Sequence, residues 1–170
     1  RYVVYTTWND SELGSVRVAS LDRGADKEDW TVTTDPGHYT EPVFSPDGEM
    51  ILYSRVGGGL IRSSLWSRDQ GIYRVAARGG EAKRILKKGS NPEFGATNDR
   101  FFYQIGKREK DADNRAFISV DLDGKEAQTH YTGKWATDYR ISPDGKWLAF
   151  VERFNVYVAP FVATSRSILV

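Results

Sequence analysis

A four-residue word, Ser-Pro-Asp-Gly, occurs twice in this chain, at residues 45–48 and 142–145, each time before a short apolar run. Proline presets the backbone angle of the first central turn position, aspartate tolerates the second, and glycine accepts a positive φ afterwards. The word therefore predicts a tight turn between two antiparallel strands. The predicted structural turn residues are Ser45, Pro46, Asp47 and Gly48, and Ser142, Pro143, Asp144 and Gly145.

The turn word belongs to a longer internal repeat. Residues 42–53, 92–103 and 139–150 align without gaps, and their anchor residues Phe44, Phe94 and Ile141 lie 50 and 47 residues apart. This spacing is typical of four-stranded propeller repeats. A fourth, truncated copy begins at residues 2–5. The middle copy keeps the length of the turn but loses the Pro-Asp-Gly sequence, so we expect a looser hairpin there.

Each copy continues with a third alternating strand, at residues 16–18, 72–75, 117–120 and 156–158, and two copies continue to a fourth, at 82–86 and 126–131. A four-stranded sheet cannot bury both faces alone, so neighbouring sheets must stack on each other. We predict an all-β chain, a β-propeller with three and a half to four blades of a six- or seven-bladed ring. The predicted blades are residues 1–41 (truncated), 42–91, 92–138 and 139–170. A β-sandwich is the alternative, but sandwiches seldom repeat one turn word at a fixed phase.

Composition restricts the chemistry. With 24 Lys and Arg against 23 Asp and Glu, the net charge is +1, and no basic face points to nucleic acid. No apolar run is long enough for a membrane-spanning helix. There is no cysteine, there are two histidines, and the Gly-x-Ser-x-Gly motif of serine hydrolases is missing. The sequence thus predicts no catalytic residue, no metal site and no cofactor within this chain.

Residues 44–53 with 72–75, and residues 141–150 with 156–158, resemble the TolB-type WD-like propeller repeat. Propellers of this type occur in the Tol envelope system, in tricorn and prolyl-oligopeptidase-like peptidases, and ahead of amidohydrolase domains. Residues 149–161 are most similar to the propellers fused to periplasmic amidohydrolases. The resemblance implies a periplasmic or secreted bacterial protein. Because the chain begins inside a blade, we expect a larger parent protein or self-association to cover the open sheets.

In a propeller, the loops from the second to the third strand and from the fourth strand to the next blade share one face. Here these loops are residues 6–15, 55–71 and 104–114, and residues 35–41, 87–91 and 132–138. Aromatic and arginine side chains supply most hot-spot energy in interfaces, so these loops predict a partner-binding surface. The alternative is that their tryptophans only pack the loops against the blades. The candidate residues are Trp8, His38, Tyr39, Arg55, Arg62, Trp66, Arg68, Arg108 and Trp135.

Two classes of function follow. The first is a non-catalytic segment of a larger envelope or secreted hydrolase of the amidohydrolase type, serving assembly, partner binding or substrate gating. Its partner would be another protein, the remainder of the same polypeptide or a second copy. The second is a stand-alone TolB-like protein-interaction module. Weaker alternatives are the propeller of a prolyl-oligopeptidase-like peptidase and a propeller lyase, which would need a histidine-rich metal site.

Overall fold

The computed structural model describes residues 1–22, 28–57, 69–109 and 112–161. Within these residues the regular structure is entirely β, with fourteen strands in four antiparallel sheets. The described part of the chain contains no helix long and apolar enough to cross a membrane. The all-β prediction, with about four blades, is confirmed. The strands group into two compact units, Arg1–Lys88 and Gly89–Val170.

The first unit holds a three-stranded and a four-stranded sheet, each with its strands in chain order. The first sheet consists of β1 (Tyr2–Thr7), β2 (Ser15–Ser20) and β3 (Asp29–Thr31). The second sheet consists of β4 (Tyr39–Phe44), β5 (Met50–Arg55), β6 (Gly71–Ala76) and β7 (Lys83–Leu86).

The two sheets of the first unit share one apolar core. Val16 and Val18 alternate with half-buried residues on β2, as expected for a strand with one buried face. On the facing sheet, the rings of Tyr53 and Tyr73 stack with centroids 5.5 Å apart, and Tyr39 meets Tyr53 edge to face at 5.4 Å. Tyrosines suit this place because the ring is buried while the hydroxyl reaches a polar partner.

The second unit repeats this arrangement with a four-stranded and a three-stranded sheet. The third sheet consists of β8 (Ser90–Phe94), β9 (Arg100–Glu109), β10 (Ala112–Asp121) and β11 (Gln128–Lys134). The fourth consists of β12 (Ala136–Ile141), β13 (Trp147–Glu152) and β14 (Asn155–Pro160).

Aromatic rings join the two sheets of the second unit. Phe117 stacks on Phe102 and on Tyr139, with ring centroids 5.3 Å apart in both pairs. Phe161 closes the cluster with an edge contact to Phe102 at 5.5 Å. Such pairs add about 0.5–1.5 kcal/mol each to the hydrophobic gain of burying the rings. These aromatic residues therefore serve core packing in the second unit.

The two Ser-Pro-Asp-Gly words form the same turn. In the first, the amide of Gly48 donates to the carbonyl of Ser45 at 2.9 Å, and Gly48 has a φ of +77°. The Ser45 hydroxyl donates to Asp47 Oδ1 at 2.5 Å and accepts from the amide of Met50 at 2.9 Å. Ser142, Asp144 and Gly145 make the equivalent contacts in the fourth sheet. The equivalent residues of the third sheet, 96–99, form bends, consistent with the looser hairpin.

Two predicted loops are regular structure instead. Residues 104–109 and 112–114 extend β9 and β10 into a long hairpin, in which the backbone of Arg108 lies opposite that of Asp113. Residues 132–138 also lie in strands, except for Trp135, which alone separates β11 from β12. Backbone pairing can continue through polar residues, and these segments lack the apolar alternation by which a strand is found in sequence.

Candidate functional site

Two loops of the first unit are joined by backbone hydrogen bonds. The amide of Gly14 donates to the carbonyl of Gly37 at 2.9 Å, and the amide of Gly37 donates back at 3.1 Å. Gly14 ends the loop between β1 and β2, and Gly37 lies in the loop between β3 and β4. This bridge fixes the predicted loop 35–41 against the predicted loop 6–15.

The loop between β1 and β2 is also closed on itself. Asn9 and Leu13 exchange two backbone hydrogen bonds, and Leu13 has a φ of +64°. The side-chain oxygen of Asn9 accepts from the Ser11 amide at 2.8 Å and from the Ser11 hydroxyl at 2.7 Å. An asparagine that binds its own backbone two residues ahead is a common turn former. The segment is therefore a defined turn that carries Trp8 at its start.

Trp8 is 48% exposed, yet its ring is held by neighbours. The indole Nε1–H donates to Asp10 Oδ1 at 2.9 Å, and the His38 ring lies 5.3 Å from the indole ring at an angle of 59°. The backbone of Gly14 also lies near the ring, since the indole Cε3 is 3.4 Å from the position that a Cβ on Gly14 would take. A held aromatic ring loses little conformational entropy when it binds, which is the property of an interface anchor.

His38 contacts this ring and is followed by Tyr39, which pairs with Arg55 in the second sheet. The Val56 amide donates to the carbonyl of His38 at 2.9 Å, which holds the loop against the end of β5. The Arg55 guanidinium lies 5.8 Å from the centre of the Tyr39 ring. The structure thus brings four predicted residues, Trp8, His38, Tyr39 and Arg55, into one neighbourhood.

Tyr39 was predicted to lie in a loop, but the structure places it in a strand. It is the first residue of β4, it is only 5% exposed, and its hydroxyl donates to the carbonyl of Asp35 at 2.6 Å. Burial raises the pKa of Tyr39 above its usual range. Tyr39 therefore supports the loop from below and offers no exposed surface to a partner.

The other predicted residues fall elsewhere. Arg62, Trp66 and Arg68 lie outside the described residues. Arg108 belongs to strand β9 rather than to a loop. Trp135, in the second unit, is 50% exposed and has a φ of +64° in the tight turn between β11 and β12.

Solved structures with the same fold share these sheets. TolB from Acinetobacter baumannii matches with a TM-score of 0.66 and 20% identity over 96% of this chain and 40% of that chain. An oligogalacturonate lyase in complex with manganese matches with a TM-score of 0.61 and 12% identity over 82% of this chain and 36% of that one. A prolyl endopeptidase matches with a TM-score of 0.66 and 12% identity over 98% of this chain and 27% of that chain. The chain has a TolB-like β-propeller fold. No family model and no curated protein matches the sequence.

At these identities the likeness concerns the fold alone. The TolB-like segment spans two fifths or less of each of the three solved chains above. Two of them, a lyase and a prolyl endopeptidase, are named for different activities, and one propeller architecture commonly hosts several functions. Function must therefore be argued from the site described above.

A recurring backbone feature of the TolB-like repeat was missed in the sequence. The first strand of three sheets contains a bulge at Glu41, Asn91 and Asp138, where the residue adopts a positive φ of 51–56°. These residues are 50 and 47 residues apart, as are the repeat anchors. An extra residue at a bulge redirects the side chains after it. The sequence signal for this bulge was a proline directly after the bulge residue in two copies, at Glu41-Pro42 and Asn91-Pro92.

In the second unit the bulge is followed by a half-buried carboxylate, Glu93. Its Oε1 accepts a hydrogen bond from the amide of Ile141 on the neighbouring sheet at 3.2 Å. Burial raises the pKa of Glu93 to about 7, although Arg140 and the Ile141 amide act in the opposite direction. Among the described residues, no group of three or more His, Asp or Glu side chains is placed to hold a metal ion.

Proposed function

We propose that this TolB-like segment is a non-catalytic protein-binding module whose recognition surface is centred on Trp8 and His38. The observation that supports it is the exposed but held indole ring of Trp8 on two loops joined at Gly14 and Gly37. Exposed tryptophans with a fixed orientation are the most frequent anchors of protein interfaces. Arg62, Trp66 and Arg68 remain candidate members of this surface, and Arg108 and Trp135 remain candidates for partner binding on the second unit.

Partner capture by variants of the protein tests this surface. Tagged protein with Trp8→Ala and His38→Ala is compared with wild type for proteins retained from an envelope extract of the source organism. Trp147→Ala is the matched control, because Trp147 is 49% exposed but lies on β13 of the second unit. We expect the Trp8 and His38 variants to lose a partner that the Trp147 variant retains. Equal capture by all variants would contradict the proposal.

We further propose that the segment belongs to a larger periplasmic or secreted bacterial hydrolase of the amidohydrolase type, where it serves assembly or gates substrate. The support is the resemblance of residues 149–161 to the propellers of such enzymes. The intact mass of the native protein tests this. A mass well above the 19.2 kDa of this chain, with hydrolase activity outside residues 1–170, is expected. A native mass near 19.2 kDa would instead favour the stand-alone interaction module.

A further inference from the structure

An open groove of about 580 Å³ lies beside Trp8 in the first unit. Its lining comes from both loops and from the strands beneath them, and it includes Trp8, Glu12, Arg17 and Asp35. This volume is within the usual range of small binding pockets. The groove can therefore accept a side chain together with part of the backbone that carries it.

Hydroxyl groups on the groove wall already have partners. Thr33 Oγ1 accepts a hydrogen bond from the amide of Val16 at 3.1 Å. The hydroxyls of Thr7 and Ser15 bind each other at 2.8 Å. These bonds fix the wall and use hydrogen-bonding capacity that a sugar ligand would need. These hydroxyl groups therefore define the shape of the groove more than they recognise a polar ligand.

The described residues that line the groove carry a net negative charge. The guanidinium of Arg17 is neutralised by Asp29, whose Oδ1 accepts from Nη2 at 2.8 Å and from Nε at 3.1 Å. By contrast, the carboxylates of Glu12 and Asp35 form no ion pair with any residue in the described part of the chain. Two carboxylates without an ion pair among the described residues, beside an exposed indole ring, favour a cation, because the face of the ring attracts positive charge.

We propose that this groove binds a lysine or arginine side chain presented by an extended segment of a protein partner. The Trp8 ring supplies the cation–π contact, and Glu12 and Asp35 supply charge complementarity. The inference rests on the proposed function of the same surface and specifies the chemistry of its partner. Acidic segments are repelled by the same two carboxylates.

An NMR titration with defined peptides tests the groove. Acetyl-Gly-Arg-Gly-amide and its lysine equivalent are added to the ¹⁵N-labelled protein, and the indole N–H of Trp8, assigned with Trp8→Phe, is followed. We expect a saturable shift with millimolar affinity that weakens as salt is raised, since exposed charges are screened. Acetyl-Gly-Glu-Gly-amide and a neutral oligosaccharide, maltohexaose, are expected to give no shift.

Variants separate charge-dependent binding from non-specific binding. Glu12→Gln with Asp35→Asn keeps the shape of both side chains and is expected to weaken binding of the arginine peptide roughly fivefold or more. The single variants are measured alongside, and Trp147→Ala is expected to bind as wild type. The inference is overturned if the double variant binds equally, if the acidic peptide or the sugar shifts Trp8 as strongly, or if no cationic peptide shifts it.

The outcomes also distinguish the two proposals. If partner capture depends on Trp8 but the peptides show no charge preference, the inference fails while the protein-binding function stands. If Trp8→Ala leaves partner capture unchanged, the protein-binding surface itself is wrong, whatever the peptides do.

Discussion

Gly14 and Gly37 form a reciprocal pair of backbone hydrogen bonds, at 2.9 and 3.1 Å, between the two loops that present Trp8 and His38. The approach is so close that a Cβ on Gly14 would lie 2.5 Å from the Gly37 carbonyl oxygen and 2.9 Å from that of Thr7. Both neighbours are backbone atoms, which cannot rotate away as a side chain could. The position therefore requires glycine for close approach.

Gly14→Ala is expected to destabilise the protein by about 1–3 kcal/mol, because the added methyl group forces the two loops apart. The indole N–H resonance of Trp8 should shift as its contact with His38 changes. Gly106→Ala is the control, since a Cβ there meets no atom of the described residues within 4 Å, and it should leave the melting temperature unchanged or slightly raised. Thermal unfolding of both variants gives the comparison, and equal stability would contradict the close approach.

The glycines of the two turn words allow a second comparison. Gly145 and Gly48 have φ values of +69° and +77°, so valine at either position is strained by roughly 1–2 kcal/mol. A Cβ at Gly145 would also lie 3.3 Å from the Cβ of Ala96, whereas a Cβ at Gly48 would meet nothing within 4 Å. Both variants should lower the free energy of unfolding in urea, and Gly145→Val should lower it more. No loss in either variant would mean that the turn assignment is wrong.

The sequence predicted the sheets better than it predicted the site. The turn word and the repeat spacing are local signals, and they placed the strands on both sides of residues 45–48 and 142–145 correctly. Trp8 and His38 were selected from their loop positions and residue types, and the structure puts their rings in contact. The Gly14–Gly37 bridge was not predictable, because it depends on two loops meeting in space. The burial of Tyr39 was missed for the same reason.

Titration of His130 should make the protein less stable in acid. Its Nε2 is hydrogen-bonded to the Ser119 hydroxyl at 2.8 Å, and its ring packs on Phe102 and Phe161. Burial, together with the nearby Arg100 charge, lowers the pKa of His130 below its usual 6.5. The unfolded chain then binds the proton more readily than the folded one, so stability is lost as pH falls below about 6.5.

In His130→Gln this loss should disappear, although the variant will be less stable overall because the glutamine packs poorly against the rings. The free energy of unfolding in urea, measured at several pH values, separates the two effects. The absolute value reports packing, and the slope against pH reports the proton. A slope identical to that of wild type would contradict the assignment of this titration to His130.

Glu93 should have the opposite effect on the slope. With a folded pKa of about 7 against 4.5 in the unfolded chain, the folded protein holds the proton more tightly between these values. Stability should therefore fall as pH rises from 4.5 to 7 and level off above, a loss of about 3 kcal/mol. Glu93→Gln keeps an oxygen that accepts from the Ile141 amide, so it should equal wild type near pH 4.5 and exceed it at pH 8.

The two titrations act in opposite directions below pH 6.5, so the wild-type slope of stability against pH is the difference between them. Each variant then exposes the effect of the other group. Glu93→Gln should leave only the histidine slope, with stability rising with pH, and His130→Gln should leave only the carboxylate slope, with stability falling. The double variant lacks both titrating groups, so its free energy of unfolding should be nearly independent of pH in this range. A Glu93→Gln protein whose stability falls as steeply as that of wild type between pH 4.5 and 7 would show that Glu93 does not cause the fall, which would contradict its raised pKa.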